Sequence, residues 1–278
     1  MVFLLLAVLS SSMIAIMMRI SSGKTSANLS TLATNYFICA LLGAVYAGFD
    51  LIVPEIPKFS VTVWLGLISG TLYLAGLVAF QANTPKYGIV LSSVFMKLGL
   101  LVPMVVSLLF FKEVPTVYQI IGFCIAIFAI VLINWKKDSS GKGFGVGLIL
   151  MLLLSGGADV MSKIFDVFGT RTLSSLFLFY TFATAFALCL VLVVRKKERP
   201  GWRELLYGTL IGIPNFFASK FLLGALTQIP AVVVYPTFSV GTMLIVTLTG
   251  VVVFRERLSK LQWFALAAII GTLILLNI

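Results

Sequence analysis

The chain has 278 residues, of which 60% are hydrophobic and only 10% are charged. Soluble domains are about half apolar and a quarter charged, so this composition excludes a water-soluble globule. The net charge of +11 comes from short Lys and Arg clusters between apolar runs, which is typical of membrane flanks rather than of a nucleic-acid-binding face. The lack of histidine excludes a His-based acid/base or metal site. The three cysteines (Cys39, Cys124, Cys189) lie in separate apolar runs without zinc spacing, which favours small packing residues.

Ten apolar runs, each about as long as a helix needs to cross a bilayer, follow one another along the chain. They predict transmembrane helices at 2–20, 30–49, 61–82, 86–111, 116–135, 144–165, 174–194, 203–226, 230–254 and 260–278. The loops are short, and the conspicuously polar ones lie at 50–58, 136–143 and 195–203. The first run lacks the basic segment that precedes a cleaved signal peptide, so we expect it to be a retained helix.

The basic residues are divided unevenly between the two sides that ten helices would create. The odd-numbered loops carry Arg19, Lys24, Lys86, Lys136, Lys137, Lys142, Arg195, Lys196, Lys197, Arg199, Arg203, Arg255, Arg257 and Lys260, and the even-numbered loops carry Lys58, Lys112, Lys163 and Arg171. Cytoplasmic loops are rich in Lys and Arg. The bias therefore predicts a multi-pass protein of the cell membrane with both termini extracytoplasmic.

The two halves of the chain contain an internal repeat, in which residues of the first half match residues of the second at a nearly constant offset. At an offset of 143, Phe111, Lys112, Glu113, Thr116, Gln119 and Asn134 match Phe254, Arg255, Glu256, Ser259, Gln262 and Asn277. Gly66 and Gly70 match Gly208 and Gly212 at an offset of 142, and Arg19 matches Lys163 at 144. These landmarks predict two five-helix repeats, 1–137 and 143–278. An odd number of helices per repeat forces opposite orientations, an architecture found in many secondary transporters.

Several repeat residues have structural interpretations. Thr116 with Gln119, and Ser259 with Gln262, fit capping boxes at helix starts. The paired glycines Gly66-xxx-Gly70 and Gly208-xxx-Gly212 favour close helix packing. The Phe-basic-Glu turns are expected to set a hairpin between two helices.

The duplicated unit of helix, Phe-basic-Glu turn and helix ending in Asn resembles the drug/metabolite transporter superfamily in its ten-helix form with two EamA-type domains. The resemblance covers nearly the whole chain and implies a basket of helices, a central cavity and alternating access. It also implies that the fourth and ninth helices, with the first, third, sixth and eighth, line the cavity. Members of that superfamily export metabolites or amino acids, or exchange phosphorylated and nucleotide-sugar anions.

Two features depart from that pattern. Small four-helix relatives carry an acidic residue about two turns before a basic one in the first helix, whereas the matching positions here are Ser11 and Ser155. This difference argues against proton-coupled export of drug cations. Many ten-helix members also have cytoplasmic termini, while the charge bias here predicts the reverse.

Three charged residues lie inside predicted helices, where a charge at the bilayer centre costs at least about 2.5–3.5 kcal/mol. Lys97 and Lys220 are candidates to attract a carboxylate or phosphate, and Asp159 is a candidate to pair with one of them or to bind an amine. The alternatives are snorkelling of Lys220 to the interface and a local pair between Asp159 and Lys163.

Prolines within predicted helices form a second group of candidates, because proline frees backbone groups that can line a cavity. They are Pro103, Pro214 and Pro236. The polar and aromatic residues proposed to line the substrate path with them are Asn35, Tyr73, Tyr180, Asn215, Tyr235 and Ser239.

These observations predict an all-α integral membrane protein of ten transmembrane helices in two inverted five-helix repeats. The favoured function is secondary transport of a small polar metabolite that carries a negative group. The alternative is export of zwitterionic or apolar compounds, with the lysines serving structure; a channel or scaffold is less favoured. No motif of an enzyme or a nucleotide-driven pump is present. The expected partners are a small-molecule substrate and the lipid bilayer, with no nucleic acid and no cofactor, while the coupling ion and a monomeric or homodimeric state stay open.

Overall fold

The computed structural model describes residues 1–21, 24–25, 27–87, 92, 95–133, 145–255 and 260–276. Within these ranges all regular secondary structure is helical. The α-helices are α1 (Val2–Ser21), α2 (Asn28–Tyr46), α3 (Phe59–Tyr87), α4 (Phe95–Phe110), α5 (Val117–Ile133), α6 (Val146–Phe168), α7 (Ser174–Arg195), α8 (Trp202–Leu226), α9 (Ala231–Val252) and α10 (Lys260–Leu276). Short 3-10 turns lie at Leu98–Leu100, inside α4, and at Arg171–Leu173, before α7.

Seven of the described helices are long and apolar enough to cross a bilayer, namely α1, α2, α3, α6, α7, α8 and α9. The helices α4, α5 and α10 are equally apolar but shorter within the described ranges. The sequence prediction of an all-helical, multi-pass membrane protein is confirmed at this level.

The end of α3 differs from its predicted position. The apolar pattern predicts an end at 82, but the helix continues to Tyr87 and includes Pro85 in its last turn. The polar residues of this segment are accommodated because Asn83 and Thr84 donate hydrogen bonds to the helical carbonyls of Ala79 and Phe80, at 2.9 and 2.8 Å. A polar side chain satisfied within its own helix does not end that helix.

The helices form two compact units that do not follow the predicted repeats. Unit 1 contains Met1–Leu74 and Met161–Thr227, and unit 2 contains Ala75–Val160 and Gln228–Ile278. Each unit therefore takes segments from both halves of the sequence. The division into repeats at 1–137 and 143–278 stays a prediction.

In unit 1, α2 packs against both α7 and α8, and α1 packs against α8. The predicted close packing of the paired glycines is found here. Gly66 and Gly70 of α3 press on α7, and Gly208 and Gly212 of α8 press on α2. The atoms that a side chain at these glycines would meet belong to Phe177, Tyr180, Thr181 and Thr184 in α7, and to Thr31, Thr34, Asn35 and Ile38 in α2.

The two sets of glycine contacts match residue by residue. Gly66 lies against the Tyr180 Cβ and Gly208 against the Thr34 Cβ. Each of the four partners in α7 stands 146 positions after its counterpart in α2, and it presents the same kind of atom, a Cβ or a backbone carbonyl. At the same offset Tyr36 of α2 corresponds to Phe182 of α7, and these two rings stack with centroids 6.3 Å apart. Matched residues that contact each other are expected at a pseudo-two-fold axis.

In unit 2, α5 packs against α10, and α9 packs against α4 and α10. The buried positions of α5 and α10 match at the offset of 143. Phe123 and Ala126 are buried in α5, as Leu266 and Ile269 are in α10. The capping box predicted at the start of α5 is confirmed, since the Thr116 and Gln119 side chains each accept the other's backbone N–H, at 3.2 and 3.0 Å.

The Phe-basic-Glu turns share a backbone feature. Lys112 and Arg255 occupy the same position in the two turns, and both have a φ of 53°. This left-handed conformation is uncommon for a residue with a side chain and commonly ends a helix. The predicted capping box at Ser259 and the residues Asn134, Glu256 and Asn277 lie outside the described residues.

Candidate functional site

A polar cluster in unit 2 is built where α4 and α6 approach each other closely. The Ser155 hydroxyl of α6 donates a hydrogen bond to the Met96 carbonyl of α4 at 3.4 Å. A Cβ added to Gly99 would collide with Ser155, and one added to Gly156 would collide with the Gly99 carbonyl. Small residues thus allow two backbones to come together. This contact brings Lys97, two residues before Gly99, near the helix that carries Asp159.

The backbone of α4 changes its winding just after Lys97. Residues Leu98–Leu100 form a 3-10 turn, and Pro103 follows in the continuing helix. Proline has no N–H, so it cannot donate to the carbonyl four residues earlier, which belongs to Gly99. Pro103 itself lies in the helix that continues to Phe110, so this proline does not end α4. Its role in lining a cavity stays a prediction.

Lys97 of α4 and Asp159 of α6 carry opposite charges on two helices that are in close contact. Lys97 is exposed and Asp159 is half-buried. Tyr235 of α9 is 1% exposed, and its hydroxyl donates a hydrogen bond to the Asp159 backbone carbonyl at 2.7 Å. The structure thus joins Tyr235 of α9 to Asp159 of α6, and the close contact between α4 and α6 places Lys97 on the neighbouring helix.

Further hydroxyl groups lie on the helices of this cluster. Ser239 follows Tyr235 by one turn of α9 and is half-buried. Thr237, on the same helix, is 8% exposed, and its hydroxyl has no hydrogen-bond partner among the described residues. The sequence analysis did not select Thr237, because a threonine in an apolar helix carries no distinctive pattern. The helix continues through Pro236, so this proline does not end α9.

A second polar pair lies in unit 1. The buried side chains of Asn35 and Asn215 share a hydrogen bond, in which Asn215 donates to the Asn35 Oδ1 at 3.1 Å. The Cys39 thiol donates to the same oxygen at 3.7 Å and to the Gly212 carbonyl at 3.2 Å. The pair ties α2 to α8, and α8 continues through the neighbouring Pro214. Both side chains are buried, and their predicted contact with a substrate stays a prediction.

The two predicted tyrosines of unit 1 contribute to packing. Tyr180 donates a hydrogen bond to the Leu51 carbonyl at 2.5 Å, which ties the loop after α2 to α7. Tyr73 packs edge-on against Phe182, with ring centroids 5.9 Å apart. Both side chains are half-buried.

Lys220 lies in unit 1 and does not extend freely along its helix. Its ammonium group lies over the Tyr46 ring, 3.0 Å from the centroid, and 5.9 Å from that of Phe216. A cation over an aromatic face is held by the ring quadrupole. No sequence signal pointed to Tyr46, which lies at the C-terminal end of another helix.

The sequence offers Lys163 as an alternative partner for Asp159, but the ion pair seen for Lys163 is with another aspartate. Lys163 forms an ion pair with Asp166 at 3.5 Å, three residues along α6, and both side chains are buried to about nine-tenths. The alternative pair of Asp159 with Lys163 stays a prediction. The spacing of Lys163 and Asp166 on a helix would have revealed this pair from sequence.

Two acidic residues that the sequence pattern does not single out are Glu198, in the basic loop 195–203, and Glu204, in the first turn of α8. Glu198 accepts hydrogen bonds from the backbone N–H and hydroxyl of Ser30, at 3.0 and 3.3 Å. Glu204, which is 5% exposed, accepts from the Gly201 N–H at 3.0 Å and from the Ala27 N–H at 3.4 Å. Carboxylates at helix N-termini satisfy free donors, so both residues anchor the loop to the start of α2.

The fold is shared with proteins whose sequences differ widely. No protein-family model matches the chain. An uncharacterized protein of Haemophilus influenzae (strain ATCC 51907 / DSM 11121 / KW20 / Rd) is 25% identical over 286 residues, which cover 96% of this chain and 95% of that protein. A solved crystal structure aligns with a TM-score of 0.76 and 18% identity, covering 99% of this chain and 94% of its own. At that identity the likeness shows the fold alone.

Together the apolar helices and the polar clusters among them define an all-helical, multi-pass membrane protein. Among the described residues, no group of three or more cysteine, aspartate or glutamate side chains is arranged to hold a metal ion. Functional groups inside the helices are instead a lysine amine, a carboxylate, amides and hydroxyls.

Proposed function

We propose that this protein is a secondary transporter that moves a small polar metabolite with a negative group across the cell membrane by alternating access. It would be a ten-helix member of the drug/metabolite transporter superfamily, with two inverted five-helix repeats. Asp159, Lys97 and Tyr235 are the proposed core of the substrate site. The observation that carries the proposal is the close contact of two apolar helices, one with Lys97 and the other with Asp159, to which Tyr235 is hydrogen-bonded.

The matched packing of unit 1 supports the repeat. Gly66 and Gly70 meet α7 as Gly208 and Gly212 meet α2, and Tyr36 stacks on its counterpart Phe182. Such reciprocal contacts arise when two related segments are joined by a two-fold rotation. Five helices in each segment would then place the segments in opposite orientations, the arrangement that permits alternating access.

The polar cluster of unit 2 supports a role in binding. Charged side chains inside membrane helices are costly and usually serve a function. Lys97 is exposed although it lies within an apolar helix, and it lies just before the 3-10 turn of α4. An irregular turn next to an accessible charge is a favourable place for a ligand and for a change in helix geometry.

One observation favours a second candidate function, transport of a zwitterion. Asp159 has the opposite charge to Lys97 and lies on α6, the helix that contacts α4. A substrate with both a carboxylate and an amine would find a partner for each group in this pair. An amino acid is therefore the second substrate class, and it differs from the first in requiring Asp159 for recognition.

Uptake by proteoliposomes of the purified protein tests the function. The solutes are a monocarboxylate, an organic phosphate, a neutral amino acid and an organic cation, each radiolabelled and offered under imposed proton and sodium gradients. We expect saturable uptake of an anion, or of the amino acid under the second candidate, above that of protein-free liposomes. Equal rates with and without protein for every solute would contradict transport of these classes, and selective uptake of the cation would contradict the proposed site.

A further inference from the structure

A cavity of about 220 Å³ lies within unit 1, apart from the cluster around Lys97. It is bounded by the C-terminal parts of α6 and α8, the start of α1 and the start of α7. Ligand pockets usually have volumes of about 300–1,000 Å³. This cavity is smaller and suits a ligand of about the size of an amino acid.

The charges that line the cavity are unbalanced. Its basic residues are Arg171 and Lys220, and its one acidic lining residue is Asp166. Asp166 is already paired with Lys163 at 3.5 Å. In the described part of the chain, neither Arg171 nor Lys220 has a carboxylate at ion-pair distance. Two positive groups therefore remain available for an anion.

Both basic groups are held in place. The Lys220 ammonium lies over the Tyr46 ring at 3.0 Å from its centroid, and Arg171 donates one hydrogen bond to the Thr227 carbonyl at 3.4 Å. A guanidinium has five N–H donors, so one bond to a carbonyl leaves most of its planar fork open. Arginine binds carboxylates through two parallel hydrogen bonds. A basic side chain that is already held in position loses less conformational entropy when a ligand binds.

Three of the other lining residues are phenylalanines, namely Phe3, Phe165 and Phe221. Phe3 and Phe221 stack with ring centroids 6.4 Å apart, Phe221 also stacks on Phe217 at 5.7 Å, and Phe165 stacks on Phe177 at 4.5 Å. This stacking holds the rings of the apolar wall in place. Aromatic pairs prefer offset or edge-on contact, which a planar ligand ring can supply.

We propose that this cavity is a binding site for a small aryl carboxylate. The carboxylate binds Arg171 and Lys220, and the ring packs against the phenylalanines. Inorganic phosphate would bind the two basic residues without contacting the phenylalanine rings. A neutral arene would contact the rings without binding the basic residues. All residues that line the site belong to unit 1, and the proposal does not depend on transport.

Equilibrium binding of tritiated phenylacetate to the purified full-length chain in detergent, read by scintillation proximity, tests the proposal. We expect saturable binding that unlabelled phenylacetate and 3-phenylpropionate displace. Acetate lacks the ring and phenylacetamide lacks the charge, so each should compete at least about tenfold more weakly. Equal competition by acetate, inorganic phosphate or phosphatidylglycerol would overturn the aryl-carboxylate assignment, as would the lack of saturable binding.

Substitutions locate the binding to this cavity. Arg171→Gln and Lys220→Gln should each weaken binding at least about tenfold, because each removes a charge-assisted hydrogen bond. Arg171→Lys should recover part of it. Arg199→Gln, an exposed arginine of the loop 195–203, is the matched control and should bind like the wild type. Unchanged binding in Arg171→Gln, whose exposed side chain makes misfolding a small concern, would contradict the proposed site.

The binding experiment and the transport experiment can each refute one proposal without refuting the other. A protein that binds phenylacetate but transports none of the tested solutes keeps the cavity assignment and loses the carrier function. A protein that transports an anion in a Lys97-dependent way without binding phenylacetate keeps the carrier function and loses the cavity assignment.

Discussion

Replacement of Lys97 by alanine is expected to lower the initial rate of anion uptake at least about tenfold, which is the loss of one charge-assisted interaction with the substrate. The amine lies in an apolar helix that is in close contact with the helix carrying Asp159. Lys97→Arg keeps the charge and should retain part of the activity. The measurement is uptake by proteoliposomes at several substrate concentrations, with protein amount matched.

Lys86→Ala is the matched control for this substitution. Lys86 is an exposed lysine of the same unit, at the end of α3. It should transport like the wild type. Normal transport by Lys97→Ala would remove Lys97 from the substrate site.

Asp159→Asn separates the two substrate classes. For an anion, loss of the competing carboxylate leaves Lys97 free to bind the substrate, so uptake should be maintained or should increase. For a zwitterion, the amine loses its partner and uptake should fall as far as in Lys97→Ala. The sign of the change therefore identifies the charge of the substrate.

The second large effect is expected from alanine at the helix contacts of unit 1. A Cβ at Gly70 would collide with the Thr181 carbonyl, and one at Gly212 would lie 2.8 Å from the Asn35 carbonyl. A backbone oxygen cannot rotate away, so the helices must separate. Overpacking of this kind costs about 1–3 kcal/mol.

Thermal unfolding in detergent measures this cost. For a chain of this size we expect Gly70→Ala and Gly212→Ala to lower the midpoint by several degrees, at about 2–4 °C per kcal/mol. Gly271→Ala is the control, because no atom lies within 4 Å of a Cβ at that helical glycine. It should be neutral or slightly stabilising, since alanine has the higher helix propensity. Equal midpoints for all three variants would contradict the close packing.

Much of the helical framework could be predicted from sequence, because a bilayer imposes length and apolarity on each span. The structure places helices near every predicted run, and it corrects the end of α3, where Asn83 and Thr84 hydrogen-bond within the helix. The glycine pairs were also informative, since Gly66-xxx-Gly70 and Gly208-xxx-Gly212 do lie at close contacts.

The composition of the polar clusters was harder to predict. Lys97, Asp159 and Tyr235 were each selected as single residues, but their proximity depends on how α4, α6 and α9 pack. Tyr46 as the partner of Lys220 has no sequence signal, because aromatic residues are frequent in membrane helices. Asn35 and Asn215 are predicted separately as substrate ligands, and the hydrogen bond between them follows only from the packing of α2 against α8. Long-range pairing decides whether a polar residue is available, and sequence periodicity does not report it.

The central claim is that the two halves of the chain have opposite orientations, since alternating access in such a carrier depends on it. The equivalent turn residues Lys112 and Arg255, which share a φ of 53°, provide the most direct test. Single substitutions Lys112→Cys and Arg255→Cys are made in a chain whose native cysteines are replaced by alanine, and intact cells are treated with a membrane-impermeant maleimide. Our account predicts labelling at position 112 in intact cells, and at position 255 only after permeabilisation. Labelling of both positions from the same side would contradict the inverted repeat and the mechanism that rests on it.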